Sequence, residues 1–326
     1  MSHAPTRPPT ASGPTRFENA LARALRNLGT PALAIALFLG LWSAASRTIT
    51  VSFGSLPGPS AVLAEVGNLW QDHRAERAKE AAFYEREAAR KQAFLAQDPN
   101  GHWKDRKYAG RPTFIDQIAT SLKTVFTGFV IASLVAVPLG IVCGLSRVCH
   151  LALNPFIQLF KPVSPLAWLP IVMILVSALY NPEKPYFEKA FLSSAVTVAL
   201  CSLWPTLINT SLGVASIDPD YLNVARVLRL GWFAKVWKIV LPAALPLIFT
   251  GLRLSLGVGW MVLIAAEMLA QNPGLGKFVW DMFQNGSSQT LAQIMVAVLA
   301  IGLIGFGLDR AMLSLQRAVS FGATAR

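Results

Sequence analysis

Residues 221–269 read YLNVARVLRLGWFAKVWKIVLPAALPLIFTGLRLSLGVGWMVLIAAEML, a short basic amphipathic segment that runs straight into a long apolar one. Arg226, Arg229, Lys235 and Lys238 fall within 13 residues, and Leu241-Pro242 then opens an apolar run to Ala270. An apolar stretch of about 20 residues matches the roughly 30 Å hydrocarbon core of a bilayer. A charged helix held between two such stretches gains nothing from lipid. Residues 221–229 are therefore expected to be a docking element for something outside the membrane.

Working outward, five more apolar windows accompany the run at Ala244–Ala270. They lie near Leu28–Ser46, Ser121–Leu145, Val163–Tyr180, Lys189–Thr206 and Leu291–Leu315. None alternates with a period of two, so all are read as helices rather than barrel strands. The chain is 53% hydrophobic and only 14% charged, against about 25% charged in soluble domains. The expected fold is an all-α integral membrane protein with six transmembrane helices. The Lys189–Thr206 window is the weakest, being interrupted by Ser, Thr, Cys and Pro. Gly251, Ser255 and Gly259, and likewise Gly302, Gly305 and Gly307, are spaced for close helix packing.

Basic residues in short loops set the orientation. Arg7, Arg16, Arg23 and Arg26, then Arg147 and Lys161, the 226–238 cluster, and Arg310, Arg317 and Arg326 lie on one side. The short loops opposite hold Lys184, Lys189 and Lys277. The long 47–120 connection carries ten basic residues from Arg74 to Arg111, against seven acids over 72–111. Loops beyond about 60 residues follow the rule weakly, so both termini are expected inside. Ser43-Ala44-Ala45 resembles a signal cleavage site, but about 27 polar residues precede the first window, which favours an uncleaved span. The net charge of +12 suits an anionic inner leaflet, and no basic groove interleaved with aromatics points to nucleic acid.

Between the spans, residues 1–16 are expected to be disordered, and Phe17–Leu28 a basic helix at the inner surface. Ser60 is expected to cap a helix over Ala61–Trp70. A solvated helix over Gln71–Gln97 is expected to gain from a Glu87–Lys91 pair and to end at Asp98-Pro99-Asn100-Gly101. The tail 102–108, HWKDRKY, is read either as a surface for a periplasmic partner or a lipid headgroup, or as part of a solvated helical hairpin without a dedicated role. Lys161 to Pro170 holds three prolines, 162, 165 and 170, so the third span must bend. Interrupted helix at membrane depth needs a protein or water-lined cover, so Pro165, Trp168 and Pro170 are read either as part of a candidate translocation path or as a simple structural kink. Asn209, Arg253, Trp260 and Glu267 complete that set. Arg253 sits one turn inside the fifth span, where it can snorkel. For Glu267 a structural hydrogen bond to backbone or an arginine is expected. Cys143, Cys149 and Cys201 are scattered packing thiols, and no metal-ligand spacing, P-loop or hydrolase motif is present.

Counting back from Ile239, Leu241 and Pro242, this chain resembles the permease subunits of type I ABC importers. Their signature is Glu-Ala-Ala, three residues, Gly, nine residues, Ile, one residue, Leu-Pro. Ala225, Ile239, Leu241 and Pro242 match it, whereas Asn223, Val224 and Arg229 depart. The runs SPLAWLP (164–170), WPTLINTSLGV (204–214), YLNVARVLRL (221–230) and LDRAM (308–312) resemble the nitrate/bicarbonate branch, related to sulfonate and taurine permeases. The resemblance implies a coupling helix over Tyr221–Arg229, capped by Asp218 or Asp220. It would present Tyr221, Asn223, Val224, Ala225, Arg226, Val227, Leu228 and Arg229 to an ATPase subunit, with Val224, Val227 and Leu228 entering its cleft and Pro242 following.

It further implies a non-catalytic inner-membrane subunit that binds no cofactor. ATP and Mg would sit on two partner ATPases, a second permease copy would complete the pore, and a periplasmic binding protein would dock near Lys184, Lys189, Lys277 and the inserted helix. Nitrate or nitrite is the expected cargo, with bicarbonate, cyanate, taurine and alkanesulfonate as alternatives. A stand-alone transporter or channel is disfavoured, because neither repeated halves nor a ladder of intramembrane charges is present.

Overall fold

Long apolar runs can satisfy their backbone in lipid only by bonding within themselves, and in the computed structural model they do so as helices. The structure describes residues 16–51, 54–98, 101–182 and 186–324. The expected disorder before residue 16, and Lys184, lie outside those residues.

Helix α1 runs unbroken over Arg16–Thr48, so the helix expected at 17–28 continues directly into the first apolar span, Gly29–Thr48. A two-residue hairpin (Thr50–Val51 with Gly54–Ser55) follows. Helix α2 spans Pro59–Gln97 as one 39-residue rod. It starts at Gly58 with Pro59 as its first residue, where a missing amide costs nothing, so Ser60 is not its cap. Its first half docks on the bundle through Val62 and Leu69 against Phe278, Val296 and Ala297. Glu65 is held there by Gln293 Nε2 at 2.7 Å.

The tail after α2 folds back on the same helix. The Tyr108 hydroxyl donates to Glu76 at 2.8 Å, Trp103 packs on Phe94, and Lys91 reaches Asp105 at 3.0 Å. The expected Glu87–Lys91 pair is thereby displaced, and Glu87 instead has Arg90 at 3.7 Å. Residues 102–108 thus clasp α2 through Trp103, Asp105 and Tyr108, while His102, Lys104, Arg106 and Lys107 stay exposed on the outer side.

Helix α3 (Phe114–Leu145) opens with a reciprocal cap between Thr113 and Asp116. Helix α4 (Arg147–Phe160) and α5 (Pro165–Leu179) meet at 102°. Pro162, two residues past the end of α4, and the Ser164 cap of α5 explain the break. The expected third span is thus a 15-residue helix with a bent neighbour. Among the described residues, five helices are long and apolar enough to cross a membrane, or six if the bent pair counts as one.

Helix α6 (Lys189–Ala215) is the centre of the fold, packed most closely against α3 and α9 (Leu241–Ala270). The hydroxyls that weakened its sequence signal are the packing surface. Ser193, Ser194, Thr197, Ser202, Thr206 and Thr210 are all buried. Small residues let the backbones meet: a Cβ on Gly251 would lie 2.9 Å from Asn209 Cβ and 3.0 Å from Thr206 Cα. One turn on, Ser255 Oγ meets Thr206 Oγ1 at 2.7 Å and also donates to the Ser202 carbonyl. In the glycine set of the last helix, α11 (Ser288–Thr324), only Gly305 meets another helix, at Trp260.

Candidate coupling surface and translocation path

The basic segment folds as α7, Pro219–Val227, starting two residues earlier than expected and ending two earlier. Asp218 is the cap, accepting from the Asp220 amide at 2.9 Å. Asp220 in the first turn and Arg226 in the last match the helix dipole. Leu228 is already outside the helix, and Arg229 stands at φ 47°. The Arg229 amide donates to the Arg226 carbonyl and the Leu230 amide to the Ala225 carbonyl, each at 3.0 Å. This paired stop satisfies the last carbonyls through one left-handed residue, usually glycine. The position counted as the signature Gly is therefore the residue whose backbone must turn left-handed, here an arginine. The matching Ala225 is buried, and its carbonyl accepts one bond of that stop.

Anchoring comes from the other face. Leu222 packs with Val214, Ile217, Val236 and Val240, which fixes α7 to the end of α6 and to the segment leading into α9. That segment is a short helix α8 (Trp232–Lys235) and a π-helical turn, Val236–Val240, before Leu241-Pro242. Tyr221, Val224, Val227 and Leu228 remain exposed, Val227 at 82%. Four large apolar side chains in water beside Arg226 and Arg229 form a surface with unmet burial. Asn223, at the signature's acidic position, accepts from Arg226 at 3.3 Å.

Of the path candidates, Arg253 and Trp260 share one cavity, and the others lie apart from it. Pro165 begins α5, Pro170 lies inside it, and the Trp168 ring sits 5.6 Å from Phe160 across the bend, its buried indole N–H without a partner. Asn209 bonds back to the Pro205 carbonyl of its own helix. Arg253 does not snorkel free. It pairs with Asp309 on α11, and both line a cavity of about 220 Å³ with Trp260 and Gly305. Trp260 Nε1 donates to the Ile301 carbonyl at 3.0 Å.

Glu267 is fully buried. It accepts from the Ser121 hydroxyl at 2.8 Å, the Gly276 amide at 3.0 Å and, more weakly, Asn272 at 3.5 Å. It supplies the cap that Gly274 cannot give to α10 (Leu275–Asn285). The backbone bond expected for it is present, from the Gly276 amide. Lys277 is paired with Asp281 at 2.6 Å, and Lys189 approaches Asn181. Asp309 and Ser121 went unread in the sequence. For Asp309 a signal existed, a lone acid inside an apolar span opposite a lone arginine. All three cysteines are free, and among the described residues no group of three or more His, Cys, Asp or Glu could hold a metal.

Residues 136–320, more than half the chain, match the family model described as binding-protein-dependent transport system inner membrane component. The chain belongs to this family. A nitrate import permease protein of Leptolyngbya laminosa is 38% identical over 193 residues, covering 59% of this chain but only 64% of that relative's length. A bicarbonate transport system permease protein of a Synechocystis strain is 33% identical over 293 residues, covering 90% of this chain and 89% of its own. Among solved structures, a chain of the inward-facing MetNI methionine ABC transporter superposes with a TM-score of 0.53 at 14% identity. That likeness covers 63% of this chain and 95% of the other, and supports the fold. The matched segment runs from the last turns of α3 into α11, whereas α1, α2, the clasp and most of α3 precede it.

Proposed function

We propose that this chain is the membrane subunit of an ATP-driven importer that carries a small inorganic anion, nitrate first, by alternating access. The observation that carries this reading is α7. It is a short capped helix, fixed to α6 and α9 on one face and exposing Tyr221, Val224, Val227 and Leu228 on the other. In this reading an ATPase subunit covers that stripe, with Arg226 and Arg229 replacing the acidic contact of the general signature. ATP and Mg are held by the ATPases, a second copy of this chain completes the path, and both termini are cytoplasmic. A binding protein delivers the anion on the side of α2 and α10. The likeness to a nitrate permease supports the cargo.

Bicarbonate is the second reading, favoured by the Synechocystis relative that aligns through the region of α2 as well as the core. The test is ATPase activity of the reconstituted complex, with its binding protein, across nitrate, nitrite, bicarbonate, cyanate and taurine. Stimulation by nitrate supports the first reading, stimulation by bicarbonate alone replaces the cargo, and an intact complex silent to the whole panel rejects both.

A further inference from the structure

The 102° bend turns α4 away from α5 and lays it over the C-terminal ends of α3 and α6. Between them is a cavity of about 940 Å³. Arg147, His150 and Lys161 line it with Asn154, Gln158 and Ser211, and no carboxylate does. Among the described residues, these three basic side chains make no ion pair. Unneutralised positive charge on a concave, low-dielectric wall concentrates anions.

The rest of the wall is apolar, built by Ile157, Leu207, Ile208 and Leu212. A four-atom oxyanion would occupy a small part of a space at the upper end of the ~300–1,000 Å³ range of drug-sized sites. On its outer side α4 exposes Val148, Leu151, Phe156 and Leu159, the pattern of a helix lying in a membrane interface. A basic pocket between helices at that depth fits a phospholipid headgroup.

We propose that this cavity is a binding site for an anionic phospholipid. The phosphate sits against Arg147 and Lys161, and the first acyl carbons lie along Ile157, Leu207 and Leu212. Occupancy would brace α4 against α3 and α6 at the same end of the bundle as α7. The proposal does not depend on which anion is imported.

The test is binding of phosphatidylglycerol and phosphatidylcholine, in mixed micelles, to the purified full chain, read by native mass spectrometry and by the unfolding midpoint. Phosphatidylglycerol is expected to bind at least tenfold tighter. The double variant Arg147→Gln/Lys161→Gln should lose that preference, while Lys104→Gln, on the clasp, should keep it. Should the double variant fail to fold, Lys161→Gln alone is read, with at least a threefold loss expected. An undiminished preference in the variants overturns the proposal. So does competition by millimolar nitrate or inorganic phosphate, which would make the cavity a free-anion site, or a second copy of the chain displacing the lipid.

Discussion

Arg253 on α9 and Asp309 on α11 form a two-point ion pair, with Nε–Oδ1 at 2.6 Å and Nη2–Oδ2 at 2.8 Å. The two residues are 56 apart in sequence, and the planar fork of the guanidinium fixes the relative rotation of two largely apolar helices. Each side chain is about one third exposed, and inside a bilayer that exposed part would face lipid or a neighbouring chain rather than bulk water.

Removing one partner should therefore be worse than removing both. Arg253→Gln and Asp309→Asn are each expected to lower the unfolding midpoint in detergent, and the double variant to lie above the lower single. A double-mutant cycle with no coupling would show that the pair does not lock α9 to α11.

Glu267 should act as a distant cap for α10. Glu267→Ala leaves the Gly276 amide and the Ser121 hydroxyl buried without an acceptor, at a cost of about 1–3 kcal/mol. Glu267→Gln retains one acceptor and should cost less. Hydrogen exchange is the measurement: amides at 275–278 should lose protection before those of α6, and uniform loss would contradict the assignment.

The clasp on α2 should be sensitive to acid. The Tyr108 hydroxyl bonded to Glu76 holds that carboxyl below its ordinary range, with Lys79 and Arg111 adding to the effect. A depressed carboxyl contributes stability that is present above its unfolded-state value and lost as pH falls through the folded one. Exchange protection of 101–111 should hold at neutral pH and decline on acidification below the usual carboxylate range. Tyr108→Phe should start with less protection and show a shallower decline. The same bond raises the Tyr108 hydroxyl, so its contribution is full below the unfolded tyrosine value and lost only as strongly alkaline pH passes the folded one.

Arg229 separates folding from docking. Its φ of 47° disfavours any side chain by about 1 kcal/mol or more relative to glycine. Arg229→Gly should leave α7 intact or firmer, so lost uptake in that variant would report a lost contact. Arg226→Glu with Arg229→Glu should abolish uptake while membrane insertion is unchanged. Normal uptake in the reversal variant would remove α7 from the coupling role.

Much of this was legible along the chain. Window lengths and the absence of alternation define the spans at Leu28–Ser46, Ser121–Leu145, Ala244–Ala270 and Leu291–Leu315, because in lipid each segment must satisfy its own backbone. Asp218, the basic cluster and Leu241-Pro242 mark α7 for the same local reason, since caps and dipoles act within a turn. The three prolines foretell a break near residue 162, though not its 102° angle.

Relations between segments needed the third dimension. The Ser and Thr residues that weaken the Lys189–Thr206 window look like a flaw in one helix, but they are the central contact once α3 and α9 close on both sides. Lys91 leaves Glu87 for Asp105 only because the chain returns over α2, and Arg253 finds Asp309 only when α9 and α11 align. The amino-acid sequence by itself determined the membrane class, the helices and the short capped basic segment, all set by interactions a few residues long. Tertiary structure alone decided which charges meet, which hydroxyls are buried and where the basic cavity opens, because those depend on distances the chain closes only on folding.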